Sequence, residues 1–150
     1  MKYDPDEALK LKNQICFPLY AAARRITGAY TPYLKPLGLT YTQYITFMVL
    51  WEKDGLSVSE ICDRLLLDSG TLTPLLKKME ASGWVQRRRS EEDERSVRIF
   101  LTEEGRAMKQ KAADIPLRVS SCFSLEQEDA QKLYALLYQI LARDTAAEKE

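Results

Sequence analysis

The stretch from Leu56 to Gly105 constrains this chain most, because its helix caps, apolar spacings and alternations follow one fixed order. Ser57, with Glu60 three residues on, has the form of a capping box, in which each side chain satisfies the other residue's backbone N–H. Ile61 and Leu65 mark the inner face of a short helix. Leu66 to Asp68 leave room for a tight connection only. Asp68 or Ser69 caps a second helix, whose Leu72, Leu75, Leu76 and Met79 recur on one face. Gly83 stands where a helix-ending glycine belongs. Trp84 to Arg89 reads as a strand, and Ser90 to Arg95 as a charged tip. Val97, Ile99 and Leu101 alternate as a returning strand. Thr102, before Glu103 and Glu104, is the cap and acidic first turn of another helix.

Helix, tight turn, helix and two-stranded hairpin is the order of a winged helix-turn-helix. The expected fold is therefore mainly α with a small β-hairpin wing. Upstream, Asp4-Pro5 opens a helical turn. Pro18 either kinks one long helix or sits in the first turn of a new one starting near Asn13 to Phe17. Ile15, Leu19, Ala22 and Ile26 follow helical spacing and mark a buried face. Gly28 and Pro32 weaken that helix, and Pro36 and Gly38 end it. A further helix runs from Thr40–Thr42 to about Lys53, with Tyr44, Phe47, Met48 and Trp51 as its apolar stripe. Downstream, Arg106 to about Arg143 is helical in two pieces, interrupted by Pro116 and Ser120-Ser121. Leu133, Leu136, Leu137, Ile140 and Leu141 make a stripe too wide for a lone surface helix; it should pack on the first helix or on a partner subunit. The closing TAAEKE is expected to fray.

Composition removes several function classes. The chain has no histidine, so imidazole zinc sites, Ser-His-Asp triads and imidazole acid–base chemistry are out. There is no CxxC pair, no Gly-rich dinucleotide fingerprint and no phosphate-binding loop, and neither a metal nor a cofactor is expected. Three cysteines, Cys16, Cys62 and Cys122, do not make a secreted disulfide framework. A charged opening and apolar runs far short of the ~20 residues of a membrane span point to the cytoplasm and to no membrane partner. The 22 basic and 22 acidic residues balance, so a case for nucleic acid rests on where the charges sit.

Locally they sit well. With Leu72, Leu75, Leu76 and Met79 inward, the second helix presents Ser69, Thr71, Thr73, Pro74, Lys77 and Lys78. No acid interrupts the run from Ser69 to Met79, and the first-turn N–H groups are open to a phosphate. The hairpin supplies Arg87, Arg88 and Arg89, with Arg95 and Arg98 on the return. An arginine at such a tip suits a narrow minor groove, and Asp93 is placed to brace Arg95. A solvated amphipathic helix with a charged hairpin, or a winged module that binds protein, fits the same pattern. Glu91, Glu92 and Glu94 count against a simple basic wing.

The tip Asp93-Glu94-Arg95, followed by Leu101-Thr102-Glu103-Glu104-Gly105, resembles the wing signature of the MarR family. The stretches NQICFPLYAAAR, LGLTYTQYITFMVLWE and LDSGTLTPLLKKMEASGWVQR closely resemble its organic hydroperoxide resistance regulator subfamily. The resemblance implies a homodimer of one 1–150 domain per chain. Its winged region would span about 40–105, and interlocked dimerisation helices about 5–38 and 106–143. It also implies a repressor on double-stranded, pseudo-palindromic operator DNA, with Arg95 in the minor groove.

On position alone, Cys16 reads as a small buried hydrophobe, like most free cysteines. If Pro18 marks a helix start, the thiol also gains from that N-terminus. The subfamily resemblance implies that Cys16 senses an organic hydroperoxide, with Tyr30 and Tyr41 hydrogen-bonding its thiolate. It places Cys122 among members with a second cysteine, implying an intersubunit Cys16–Cys122 disulfide. Cys62, beside Ile61, reads as core. Two other functions compete: a MarR-type regulator released by a small aromatic ligand, and a thiol peroxidase. The enzyme lacks an activating cation near Cys16, because Arg24 and Arg25 lie two turns along the helix.

Overall fold

Short polar caps start most helices of this protein. The computed structural model describes residues 4–89, 97–122 and 125–147, the last five by backbone only. Asp4 caps α1 (Pro5–Ala8), its Oδ1 accepting the Asp6 N–H at 3.0 Å. A 3-10 turn (Leu11–Asn13) leads to α2 (Cys16–Ala29), and Pro18 falls in its first turn, where a missing N–H costs nothing. After α3 (Thr31–Leu34) and a second 3-10 turn (Lys35–Leu37), a Thr40/Gln43 capping box opens α4 (Tyr41–Glu52). Then come β1 (Leu56–Ser57), α5 (Val58–Leu65), α6 (Ser69–Ala81), β2 (Val85–Arg89), β3 (Val97–Leu101), α7 (Glu103–Ala112), α8 (Ile115–Ser120) and α9 (Gln127–Ala147).

The expected winged order is present. Ser57 and Glu60 form the reciprocal box at α5, with bonds of 2.7 and 3.1 Å. Asp68 caps α6 and Thr102 caps α7. Gly83 takes φ +74 after α6, a left-handed conformation that suits glycine at a helix end. Leu66 takes the same region at φ 52 to turn the chain between α5 and α6. The sheet has order β1-β3-β2, antiparallel, with Val85 opposite Leu101, Arg88 opposite Arg98 and Leu56 opposite Ile99. β1 is unforeseen, because two residues carry no alternation to read.

Phe47, Leu50, Leu56, Ile61, Leu72, Leu76, Met79, Val85 and Ile99 are buried where α4, α5 and α6 meet the sheet. Each large side chain buried this way contributes about 1.5–3 kcal/mol. Phe47 also stacks on Trp51 with ring centroids 5.2 Å apart. This core fixes α6 and the β2–β3 hairpin on one frame.

The chain divides into two compact units, Met1–Pro116 and Leu117–Glu150. Three expectations need correction. The face marked by Ile15, Leu19, Ala22 and Ile26 is not buried: α2 carries no buried residue, and Ile15 is 84% exposed. Helix α2 meets α3 at its C-terminal end, and the chain then turns away through Tyr30–Leu37. Met48 is exposed at 41%, unlike the rest of the α4 stripe. Among the described residues three helices, not two, follow the wing, because Pro116 opens α8 instead of interrupting a longer helix. The final helix runs through Ala147, and the remainder of TAAEKE lies outside the described residues. Among the described residues, no helix is long and apolar enough to cross a membrane.

Candidate nucleic-acid interface and thiol site

Helix α6 presents the face expected of it. Ser69, Thr71, Pro74, Lys77 and Lys78 are exposed and Thr73 is half-buried, over inward Leu72, Leu76 and Met79. Pro74 lies inside the helix, where it gives up one backbone bond. The first turn is less open to a phosphate than the sequence suggests. Asp68 Oδ1 accepts the Thr71 N–H at 2.8 Å, and Thr71 Oγ1 donates to Asp68 Oδ2 at 2.7 Å. These bonds, the side-chain one foremost, hold the Asp68 carboxyl below the usual carboxylate range. A fixed negative charge thus stands at the start of α6.

The hairpin arginines divide by their partners. Arg87 is half-buried and ties β2 to α6, its N–H donating to Glu80 Oε1 at 3.1 Å and its guanidinium 3.9 Å from Glu80 Oε2. Arg98 Nη1 donates to Gly55 O at 2.8 Å and lies 3.8 Å from Glu60 Oε2. Both are therefore occupied in holding the wing together. Arg88 and Arg89 are exposed, and Arg88 lies over the Phe100 ring, 5.1 Å from its centroid. Arg88 stands directly opposite Arg98 in the ladder, a like charge, and the cation–ring contact offsets part of that repulsion. Asp93 and Arg95 lie outside the described residues.

Cys16 is exposed, not buried as position alone suggested. It is the first residue of α2, so the positive end of the helix dipole lies beside its sulfur. Its Sγ is 3.9 Å from Gln14 Oε1, and Gln14 Nε2 donates to Ala8 O. Tyr30 and Tyr41 are brought together, edge to face with centroids 5.0 Å apart, beside Tyr44. Burial first, and then the neighbouring Tyr30, push the Tyr41 hydroxyl up, so it stays a donor at neutral pH. The pair is not brought to Cys16 of the same chain. Tyr30 caps the far end of α2, whose 14 residues span about 21 Å.

Cys122 is exposed just past α8, with its Sγ 3.7 Å from Arg118 O. Cys62 is half-buried, and burial, with Asp63 and Asp68 nearby, pushes its thiol up and away from thiolate chemistry. Among the described residues no cluster of three metal-ligating side chains occurs. A cavity of about 380 Å³ lies among Thr27, Thr31, Leu34, Lys35, Leu39 and Tyr41. Sequence pattern singled out neither Gln14 nor this cavity, since neither depends on a motif.

Comparison with known proteins places these features in context. A family model described as transcriptional regulator SarA/Rot matches residues 29–112. The organic hydroperoxide resistance transcriptional regulator of Bacillus subtilis (strain 168) is 49% identical over 133 residues, covering 89% of this chain and 90% of the relative. The reduced AbfR of Staphylococcus epidermidis bound to DNA is 36% identical, with TM-score 0.74, covering 92% of this chain and 96% of that one. AbfR with its disulfide formed gives TM-score 0.64 at the same identity, covering 92% and 94%.

Proposed function

The chain belongs to the SarA/Rot and MarR-type family of winged-helix transcriptional regulators, and from that premise we propose that it is a repressor released from its operator by organic hydroperoxides acting on Cys16. The observation that carries this reading is the placement of Cys16, exposed at the positive end of α2. The Cys16 thiolate attacks the terminal peroxide oxygen. The O–O bond breaks, the alkoxide takes a proton and leaves as the alcohol, and the sulfur becomes a sulfenic acid. The thiol of Cys122 of the partner subunit then attacks that sulfur, releasing water and closing an intersubunit disulfide. Apolar Ile15, Phe17 and Leu19, all exposed around the thiol, favour alkyl over hydrogen peroxide.

The protein acts as a homodimer in this reading. Helix α2 and its N-cap Ile15 leave Ile15, Phe17, Leu19 and Ile26 open, and α9 leaves Leu133, Leu136, Ile140 and Leu141 open. Faces of that kind need a second chain. This reading gives each Cys16 the Tyr30 of the partner subunit and the Tyr41 of the partner subunit as donors, because its own chain holds that pair at the far end of α2. On DNA, Ser69, Thr71, Thr73, Pro74, Lys77 and Lys78 meet the major groove and Arg88 a phosphate. Arg95, braced by Asp93, enters the minor groove. Disulfide closure needs Cα atoms within about 7 Å, so it moves helices and takes the two α6 helices out of step with major grooves about 34 Å apart.

The test is non-reducing denaturing electrophoresis after stoichiometric cumene hydroperoxide. A covalent dimer in wild type that is absent from Cys16→Ser and from Cys122→Ser supports the scheme. Wild type running as monomer removes Cys122 from it. The cavity at Leu34, Lys35 and Tyr41 favours one other reading, release by a small aromatic acid. Operator release by such a compound with peroxide absent would favour it.

A further inference from the structure

The turn after α4 ends in a carboxylate that binds in three directions. Asp54 Oδ1 accepts the Leu101 N–H at 2.8 Å and the Gly55 N–H at 3.0 Å. Its Oδ2 lies 2.8 Å from Arg106 Nη2. The same Arg106 nitrogen donates to Leu101 O at 3.3 Å. Asp54 and Arg106 together therefore hold both backbone groups of Leu101, the last residue of β3, between the end of α4 and the first turn of α7. Around them, the Gly55 N–H donates to Ile99 O at 3.0 Å and Trp51 Nε1 to Gly105 O at 3.0 Å.

The backbone bonds that Asp54 accepts stabilise the turn, but its ion pair with Arg106 adds little to that. The Arg106 side chain is 59% exposed and that of Asp54 25%, so the ion pair is screened and contributes little to folding. Its geometric effect is larger. From Leu101 to Val97 the strand extends about 13 Å. A tilt of about 10° at Leu101 moves the outer end, where Val97 pairs Arg89, by about 2 Å over that span. A displacement of that size takes a guanidinium out of hydrogen-bond reach of a phosphate.

We propose that Asp54 and Arg106 form the joint that sets the angle of the β2–β3 hairpin, and so are positioning residues for DNA binding. This rests on the reading of the hairpin as a DNA contact given above. Neither residue touches DNA; each acts through the arginines that the hairpin carries.

The test uses the full-length dimer and two duplexes from the region upstream of its own gene. One is the whole footprint, and the other is trimmed of the outer base pairs that lie under the hairpins. Asp54→Asn, Arg106→Gln and the double variant are expected to bind the whole footprint about tenfold more weakly than wild type. The double loses no more than either single, as coupled residues do. On the trimmed duplex all should match wild type, and Arg106→Lys, which keeps the charge, should recover most of the loss. Equal weakening on both duplexes, or none on either, overturns the proposal alone. Wild type that binds the two duplexes equally overturns the hairpin contact itself, and the proposal with it. Should Asp54→Asn fail to show a cooperative thermal transition, surface-exposed Arg106→Gln carries the test.

Discussion

Cys16 opens α2 and Tyr30 caps its other end, so one helix sets their backbones about 21 Å apart. Tyr30 keeps Tyr41 beside it at 5.0 Å, and the two donors travel together. Within one chain they cannot serve the thiolate they are proposed to bind.

Mixed dimers separate the two arrangements. In a dimer of one Cys16→Ser chain and one Tyr30→Phe/Tyr41→Phe chain, the single Cys16 faces intact tyrosines only across the interface. Its oxidation by cumene hydroperoxide, followed by stopped flow, should run at the wild-type rate. The homodimer of Tyr30→Phe/Tyr41→Phe should be at least about tenfold slower, the worth of a hydrogen bond to a charged group. A slow mixed dimer would place the donors within one chain and contradict the account.

Gly105 fixes how closely α7 approaches the wing. A Cβ there would lie 2.1 Å from Trp84 O, a backbone atom with no freedom to withdraw. Gly105→Ala should cost about 3 kcal/mol in urea unfolding, a large share of a small domain's stability. A change below about 0.5 kcal/mol, the scale of a neutral surface substitution, would show that α7 can shift freely.

Asp68 gives a pH signature. Its folded carboxyl is held below the usual range by Thr71, so the cap's contribution is present above the unfolded value of about 4. It is lost as pH falls through the lowered folded value. The thermal midpoint of Asp68→Ala should therefore lie furthest below wild type near neutral pH, and the gap should narrow as pH falls through the lowered folded value. A gap that stays constant across this range would mean the bond to Thr71 does not depend on the charge.

The two kinds of basic residue should part in salt titrations of operator binding. Lys77, exposed on α6, should reduce the slope of log K against log salt by about one when changed to alanine. Arg98, turned to Gly55 O and Glu60, should lower stability when changed to alanine and leave the slope nearly as it was. The reverse result would exchange their roles.

What the sequence made legible was local. The caps at Ser57, Asp68 and Thr102 bond residues three positions away, so the pattern and the structure are one fact. The same holds for the ends of α5 and α6 and for the alternation of β3. Charge in a sequence has no direction, however, and Arg87, Arg88 and Arg98 look alike until the fold gives Arg87 its partner Glu80 and Arg98 its partners Gly55 and Glu60. The pairing of Asp54 with Arg106 joins segments far apart in the chain and leaves no periodic trace. The apolar spacing of α2 was read as a buried face of one chain, yet spacing reports that a face is apolar and not which chain covers it. The role proposed for Cys16 came from resemblance, since position alone suggested burial and the thiol is exposed.

Operator binding under oxidation tests the central claim most directly. A gel shift with the region upstream of the protein's own gene compares wild type and Cys16→Ser before and after stoichiometric cumene hydroperoxide. The account predicts that both bind beforehand, and that afterwards wild type releases while Cys16→Ser stays bound. Both proteins remaining bound after oxidation, or both releasing, would contradict Cys16 as the switch.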